Sequence, residues 1–167
     1  MTELATYMPE NVTVLLAGLI PVSGFIAGSF ISITKDVRPF KSKRTTDGTV
    51  SRLYNNDQTY TITISLYSGS DTNDVLTKLW QLDEITQRGK FALIVKDGSG
   101  SDLFFSTTTW IEGLPSLVKS NQFETRTWEL KSSSAIINIG GNGNSGSILQ
   151  DLVNTAISAL PSIAGIL

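Results

Sequence analysis

A chain of 167 residues can form one domain with a sizeable core, and its net charge of -2 supplies no overall attraction to nucleic acid or anionic membrane. It has no cysteine and no histidine, which removes thiolate chemistry, Cys-based metal sites, the usual partner of a serine nucleophile and the commonest transition-metal ligand. Carboxylates, lysines and tyrosines remain, so composition lowers the expectation of an enzyme without closing off glycosidase or Schiff-base chemistry.

Met1 to Asn11 carries Glu3 and Glu10 and no Lys or Arg, the wrong pattern for a secretory signal. No apolar run approaches about 20 residues, so no membrane-inserted helix is expected. Val12 to Gly18 is short and apolar and reads as a strand and turn, with Gly18, Pro21 and Gly24 as punctuation. Phe25 to Ile33 alternates poorly, which predicts a second strand with both faces partly covered. Residues 35 to 52 are basic: Lys35, Arg38, Lys41, Lys43, Arg44 and Arg52 stand against Asp36 and Asp47, with a Thr-Asp-Gly turn at 46 to 48. This is a long hairpin or loop. It is either a solvated face or a polar arm that reaches a neighbouring subunit.

Gln58 to Tyr67 gives the clearest strand, with Tyr60, Ile62, Ile64 and Leu66 on a core face and Thr59, Thr61, Thr63 and Ser65 on a ladder of small hydroxyls. Ser70, Asp71 or Asn73 can cap a helix over roughly 73 to 88, with Val75, Leu76, Leu79, Leu82 and Ile85 as its apolar stripe and Gly89 as its stop. Trp80, at the edge of that stripe, reads as a partly buried anchor rather than a ligand platform. Phe91 to Val95, a turn at 97 to 101 and a strand at roughly 102 to 111 make a hairpin. Its Gly-rich turn joins two strands and offers no helix N-terminus to a phosphate. A connection from Gly113 through Pro115 to Asn121 leads to a strand over Phe123 to Lys131, with Trp128 and Leu130 on one face and Thr125, Thr127 and Glu129 on the other.

The fold class expected is mainly β (α+β): an antiparallel β-sandwich or barrel with one flanking helix, then a C-terminal helix after a Gly-rich linker. The boundaries are residues 1–139 for the β domain, 140–146 for the Gly/Asn linker and 147–167 for an apolar helical segment. In the last of these, Ile148, Leu149, Leu152, Val153, Ile157 and Leu160 form one apolar face, and Asp151 is the sole charged side chain. That face calls for a partner, either the chain's own domain or a neighbouring protein.

The order of features from Ile31 to Asn142 resembles the tail tube proteins of contractile-tailed bacteriophages. The resemblance rests on RTTDGTVSRLYNNDQ at 44 to 58, TYTITISLY at 59 to 67, NDVLTKLWQLDE at 73 to 84 and FALIVKDGSGSDLF at 91 to 104. It continues through the turn at Trp110 to Pro115, TRTWELK at 125 to 131 and INIGGN at 137 to 142. None of these is a catalytic signature. The resemblance implies a virion structural protein of the phage tail, made in the host cytoplasm, six copies of which form a ring. Stacked rings would make a hollow tube inside a contractile sheath, through which DNA passes without specific binding. It also implies that inner strands of neighbouring subunits join into one barrel and that an arm at 40 to 53 reaches the adjacent ring. Lys41, Lys43, Arg44, Asp47 and Arg52 are then the inter-ring candidates. No cofactor and no metal are implied. Residues 143 to 167 depart from the family pattern, which suggests an alternative: a tube initiator or baseplate-associated protein that binds baseplate or sheath components through its C-terminal helix.

Sheet-edge pairing would serve such a ring physically, because an edge left open by one subunit is an aggregation hazard that the next subunit closes. The rival classes are weaker. An enzyme would have to use Asp83 with Glu84, or Asp97 with Asp102, and both pairs have plain structural roles on a helix surface and beside a turn. A nucleic-acid-binding barrel would need Tyr54, Tyr60 and Tyr67 as a stacking platform, yet Tyr60 falls on the core face.

Overall fold

The alternating run that begins at Tyr60 becomes the organising strand of the fold. The computed structural model describes residues 6–141. After a 3-10 turn at Pro9–Asn11 come β1 (Val12–Leu16), β2 (Ile20–Pro21), β3 (Ile31–Lys35), β4 (Phe40–Arg44), β5 (Val50–Tyr54) and β6 (Tyr60–Tyr67). Helix α1 (Thr72–Thr86) and strands β7 (Phe91–Asp97), β8 (Leu103–Gly113), β9 (Thr125–Ser132) and β10 (Ile136–Asn138) complete the order. One antiparallel sheet runs β2-β1-β7-β8-β9-β6-β3, with β10 paired to β8, while β4 and β5 pair only with each other.

Register carries the sequence alternation into a core. Ile62 lies opposite Ile33 on β3 and Leu130 on β9, and Ile64 opposite Ile31 and Trp128, so the middle of one face of three neighbouring strands is apolar. Ile62, Ile64, Leu66, Trp128 and Leu130 are fully buried together with Leu16, Leu76, Leu93 and Phe104. The sheet curls over this core. Tyr60 and Phe104 touch edge to face with ring centroids 5.7 Å apart, although β9 lies between their strands, which in a flat sheet would hold them about 10 Å apart.

Helix α1 is locked to the sheet at its first turn. Asn73, buried, donates from Nδ2 to the carbonyls of Tyr67 (2.9 Å) and Ser70 (3.0 Å), and its Oδ1 accepts the indole N–H of Trp128 at 2.9 Å. Ser70 rather than Asn73 serves the free amides of the helix start, with its Oγ accepting from Thr72 N at 3.2 Å. Leu76 is buried and Val75, Leu79 and Trp80 pack against the core, so Trp80 is the partly buried anchor expected.

Four expectations need correction. Leu82 and Ile85 are exposed, Ile85 by 77%, because the apolar stripe of the helix packs on the core only as far as Trp80. The helix ends at Thr86, where Gln87 takes a left-handed φ of 55°, ahead of Gly89. Residues 25 to 30 are not a strand: Phe25 makes one isolated bridge to Leu66, and Gly28, at φ 87°, interrupts the backbone before β3 begins at Ile31. Phe123 lies before β9 and is 92% exposed, so it belongs to the loop from Leu114 to Glu124.

Candidate functional site

Strands β3 and β6 do not stop where the sheet does. Asp36 N donates to Thr59 O (3.0 Å) and Asn55 N to Pro39 O (2.7 Å), which carries the β3–β6 pairing through a short irregular stretch into the β4–β5 ladder. Residues 31 to 67 therefore form one long antiparallel ribbon whose inner half lies in the sheet and whose outer half projects from it. Every residue of β4 and β5 is exposed. At about 3.3 Å per residue the projecting strands extend roughly 17 Å before the turn.

The turn is built locally. Thr45 N donates to Thr49 O (2.9 Å), Gly48 N to Thr45 O (3.0 Å), and Asp47 Oδ1 accepts from the Thr45 hydroxyl and from Thr49 N (3.1 Å). The Thr45 hydroxyl, and then the Thr49 amide, hold the Asp47 carboxyl below its ordinary value. Of the five arm candidates, Asp47 thus shapes the tip. Lys41 and Lys43, opposite Leu53 and Ser51, share one face, whereas Arg44 and Arg52 lie on the other with Phe40, Val50 and Tyr54. Arg52 stacks on the Phe40 ring at 4.1 Å, and Phe40 meets Tyr54 at 5.4 Å.

The charge pattern at 35 to 52 drew attention to the cations and concealed the apolar content of the arm. Phe40, Val50, Leu53 and Tyr54 are all exposed there. Their alternation, Phe40 against Tyr54 and Val50 against Arg44, was the available signal. An isolated two-stranded hairpin is marginal in water, and among the described residues this one has no other strand beside it. A second exposed apolar set, Leu114, Leu117, Val118 and Phe123, lies in the loop between β8 and β9.

The outward face of β3, β6 and β9 carries the hydroxyl ladder. Ser32 and Thr34 on β3 lie opposite Thr63 and Thr61, which in turn face Glu129 and Lys131 on β9, and Ser65 faces Thr127. Its cation, Lys131, is held by Asp36 at 2.9 Å. The Thr61 hydroxyl (2.5 Å) and that ammonium depress the Asp36 carboxyl, and the pairing raises Lys131. Trp110, beside Lys131 on β8, donates from Nε1 to Glu112 at 2.7 Å. The surface is therefore polar, and its one cation is already paired.

Of the four carboxylates that could suggest catalysis, Asp83, Asp97 and Asp102 have structural side-chain bonds. Asp83 Oδ1 accepts from Gly89 N (3.0 Å), Asp97 Oδ1 from Ser99 N (2.8 Å) and Asp102 Oδ1 from Gly140 N (2.6 Å). Tyr60 is buried, as its position on the core face predicted. Among the described residues no group of three or more acidic side chains could hold a metal, and no helix is long and apolar enough to cross a membrane. Ile148, Leu149, Leu152, Val153, Ile157 and Leu160 lie outside the described residues.

No protein-family model matches the chain. It is 32% identical over 145 residues to Structural protein ORF10 of Pseudomonas phage KPP10, which covers 83% of this chain and 84% of the relative. Among solved structures it is similar to the tube-terminating cap of the anti-feeding prophage, at a TM-score of 0.54 and 18% identity over 83% of this chain and 94% of that one. The sheath-tube complex of the extracellular contractile injection system PVC gives a TM-score of 0.51 and 15% identity, over 80% of this chain and 91% of that one. At such identities the likeness is one of fold. The relation to the KPP10 protein, at 32% identity over most of both chains, places this chain in a family of phage structural proteins, virion components whose fold is similar to that of tail tube and tube terminator proteins.

Proposed function

We propose that this protein is a subunit of the phage tail tube, forming stacked six-fold rings whose channel carries DNA inside a contractile sheath, and that it performs no catalysis. One observation carries the reading: the ribbon from Ile31 to Tyr67 leaves the sheet and exposes Phe40, Val50, Leu53 and Tyr54 beside Lys41, Lys43, Arg44 and Arg52. Exposed apolar side chains ringed by cations on a projecting element are what a subunit contact requires. The arm reaches the adjacent ring, and the free edge of β3 pairs with the next subunit in the same ring.

The hydroxyl face of β3, β6 and β9 lines the channel. Binding of a polyanion depends on Lys and Arg that displace its counterions. Here Lys131 is bound to Asp36, and Glu129 and Glu112 add negative charge. DNA therefore slides along this face. The fold shared with the PVC sheath-tube complex and the phage-structural relative support the same reading.

A second reading, a terminator ring that closes the tube, is favoured by two neighbours: the cap of the anti-feeding prophage and the PVC sheath/tube terminator, with TM-scores of 0.54 and 0.53. Electron microscopy of the purified protein over a concentration series separates the two. Long hollow tubes support the tube subunit. Rings that do not stack on themselves but cap tubes of another subunit support the terminator, and a protein that stays monomeric throughout sinks both.

A further inference from the structure

Between the edge strand β3 and the β7, β8 and β10 side of the curled sheet lies an open cavity of about 390 Å³, walled by Phe30, Ile31, Ile33, Val95, Phe104 and Ile137. Asp97 and Asp102 stand at its margin, but each already accepts a backbone N–H, from Ser99 and Gly140. The cavity thus offers mainly apolar surface, with both carboxylates engaged at one oxygen by backbone amides.

The chain leaves the β domain at this rim. Ile137, Asn138 and Ile139 are themselves part of the lining. The next two residues are pinned: Gly140 N donates to Asp102 Oδ1 at 2.6 Å, and Ser101 N to Gly141 O at 3.2 Å, while Asn138 Nδ2 holds Ser101 O at 2.5 Å. A Cβ at residue 140 would collide with the Ser101 side chain, so this close approach demands glycine. The Gly-rich stretch therefore starts as a fixed exit aimed from the cavity mouth. Residues 142 to 146 can extend at most about 18 Å, which keeps Ser147 within reach of the cavity. From there to the C-terminus the sequence has no Lys or Arg and a single carboxylate, Asp151.

We propose that residues 147–160 dock in this cavity on their own chain, laying the Ile148, Leu149 and Leu152 face against Ile31, Ile33 and Phe104. Mainly apolar walls meet an apolar segment that carries a single charged side chain, Asp151. The tether is short enough to favour the chain's own cavity over a neighbour's through a high effective concentration. This inference does not depend on the tube reading. Its consequence is that the segment serves the subunit's own surface and is not held out for a baseplate protein.

The chain has no cysteine, so introduced pairs report without background. Full-length proteins carrying Ile33→Cys with Leu149→Cys, Leu152→Cys or Leu160→Cys in turn would be oxidised, denatured and sized without reductant, in whatever assembly state they adopt. A parallel set would replace Ile33→Cys by Leu117→Cys, in the loop that follows β8. Docking predicts that at least one Ile33 pair gives a cross-linked species of monomer mass in high yield, and that the Leu117 pairs do not. Cross-links only of dimer mass, none from any Ile33 pair, or equal yields from Leu117 would each overturn the proposal. Circular dichroism of the reduced proteins verifies that each is folded before it is scored.

Discussion

Leu130 on β9 and Leu53 on β5 occupy similar antiparallel ladders, yet the first is 0% exposed and the second 68%. Around Leu130 the outer ladder partners are covered again by the curl of the sheet and by α1. Around Leu53 the ladder is all there is. Hydrogen-bonded pairing is common to both regions, so pairing alone does not separate the part that builds the core from the part that stands away from it. Burial does. The core half of the ribbon stabilises one chain, and the arm half leaves its apolar area exposed, which the proposed function assigns to contact between chains.

The widest gap should come from deleting the same atoms in the two places. Leu130→Ala is expected to cost about 2–5 kcal/mol of unfolding free energy, read by urea denaturation, and Leu53→Ala less than about 0.5 kcal/mol. Equal losses would mean that the arm packs on its own chain. Next in size is Asn73→Ala, which removes both carbonyl contacts at the head of α1 and leaves the Trp128 indole N–H buried without an acceptor. A loss of about 1–3 kcal/mol is expected, with the largest fall in amide-exchange protection at the start of α1. Deletion of residues 143–167 should leave a cooperatively folded β domain that is less stable by roughly 2 kcal/mol, the worth of one aliphatic side chain's burial. Collapse of the fold would make the segment part of the core.

The smallest effect lies on the hydroxyl face. Asp36 has a depressed carboxyl in the folded protein, so its contribution is present above the unfolded aspartate value of about 4 and is lost as pH falls through the lower folded value. Lys131, raised by the same pairing, extends that contribution until pH climbs through its folded value. Asp36→Asn should therefore lower the melting temperature slightly at neutral pH and not at all in strong acid. A difference that persists undiminished in strong acid would assign the effect to something other than the ion pair.

Much of this was legible in the sequence, for a specific reason. In β6 the period-two alternation has one dry face and one wet face, so Tyr60, Ile62, Ile64 and Leu66 announced the core, and Trp128 and Leu130 followed from their register with it. The same logic fails where a segment has no such contrast. Residues 25 to 30 looked strand-like because apolar and small residues mix, but Gly28 takes a backbone conformation that breaks the pairing. Leu82 and Ile85 fit a helical stripe, yet how far the sheet extends beneath a helix is a tertiary fact. The arm was legible as a projection through its charges and illegible as an apolar surface, because Phe40 and Tyr54 meet only once the hairpin register is known.

The contact role of the arm is tested most directly by electron microscopy of the wild-type protein beside a Lys41→Glu, Lys43→Glu, Arg44→Glu variant, with melting curves on the same samples. The account predicts hollow stacked rings from the wild type, and from the variant an unchanged melting temperature with rings that no longer stack. A variant that unfolds, or one that builds normal tubes, would contradict it.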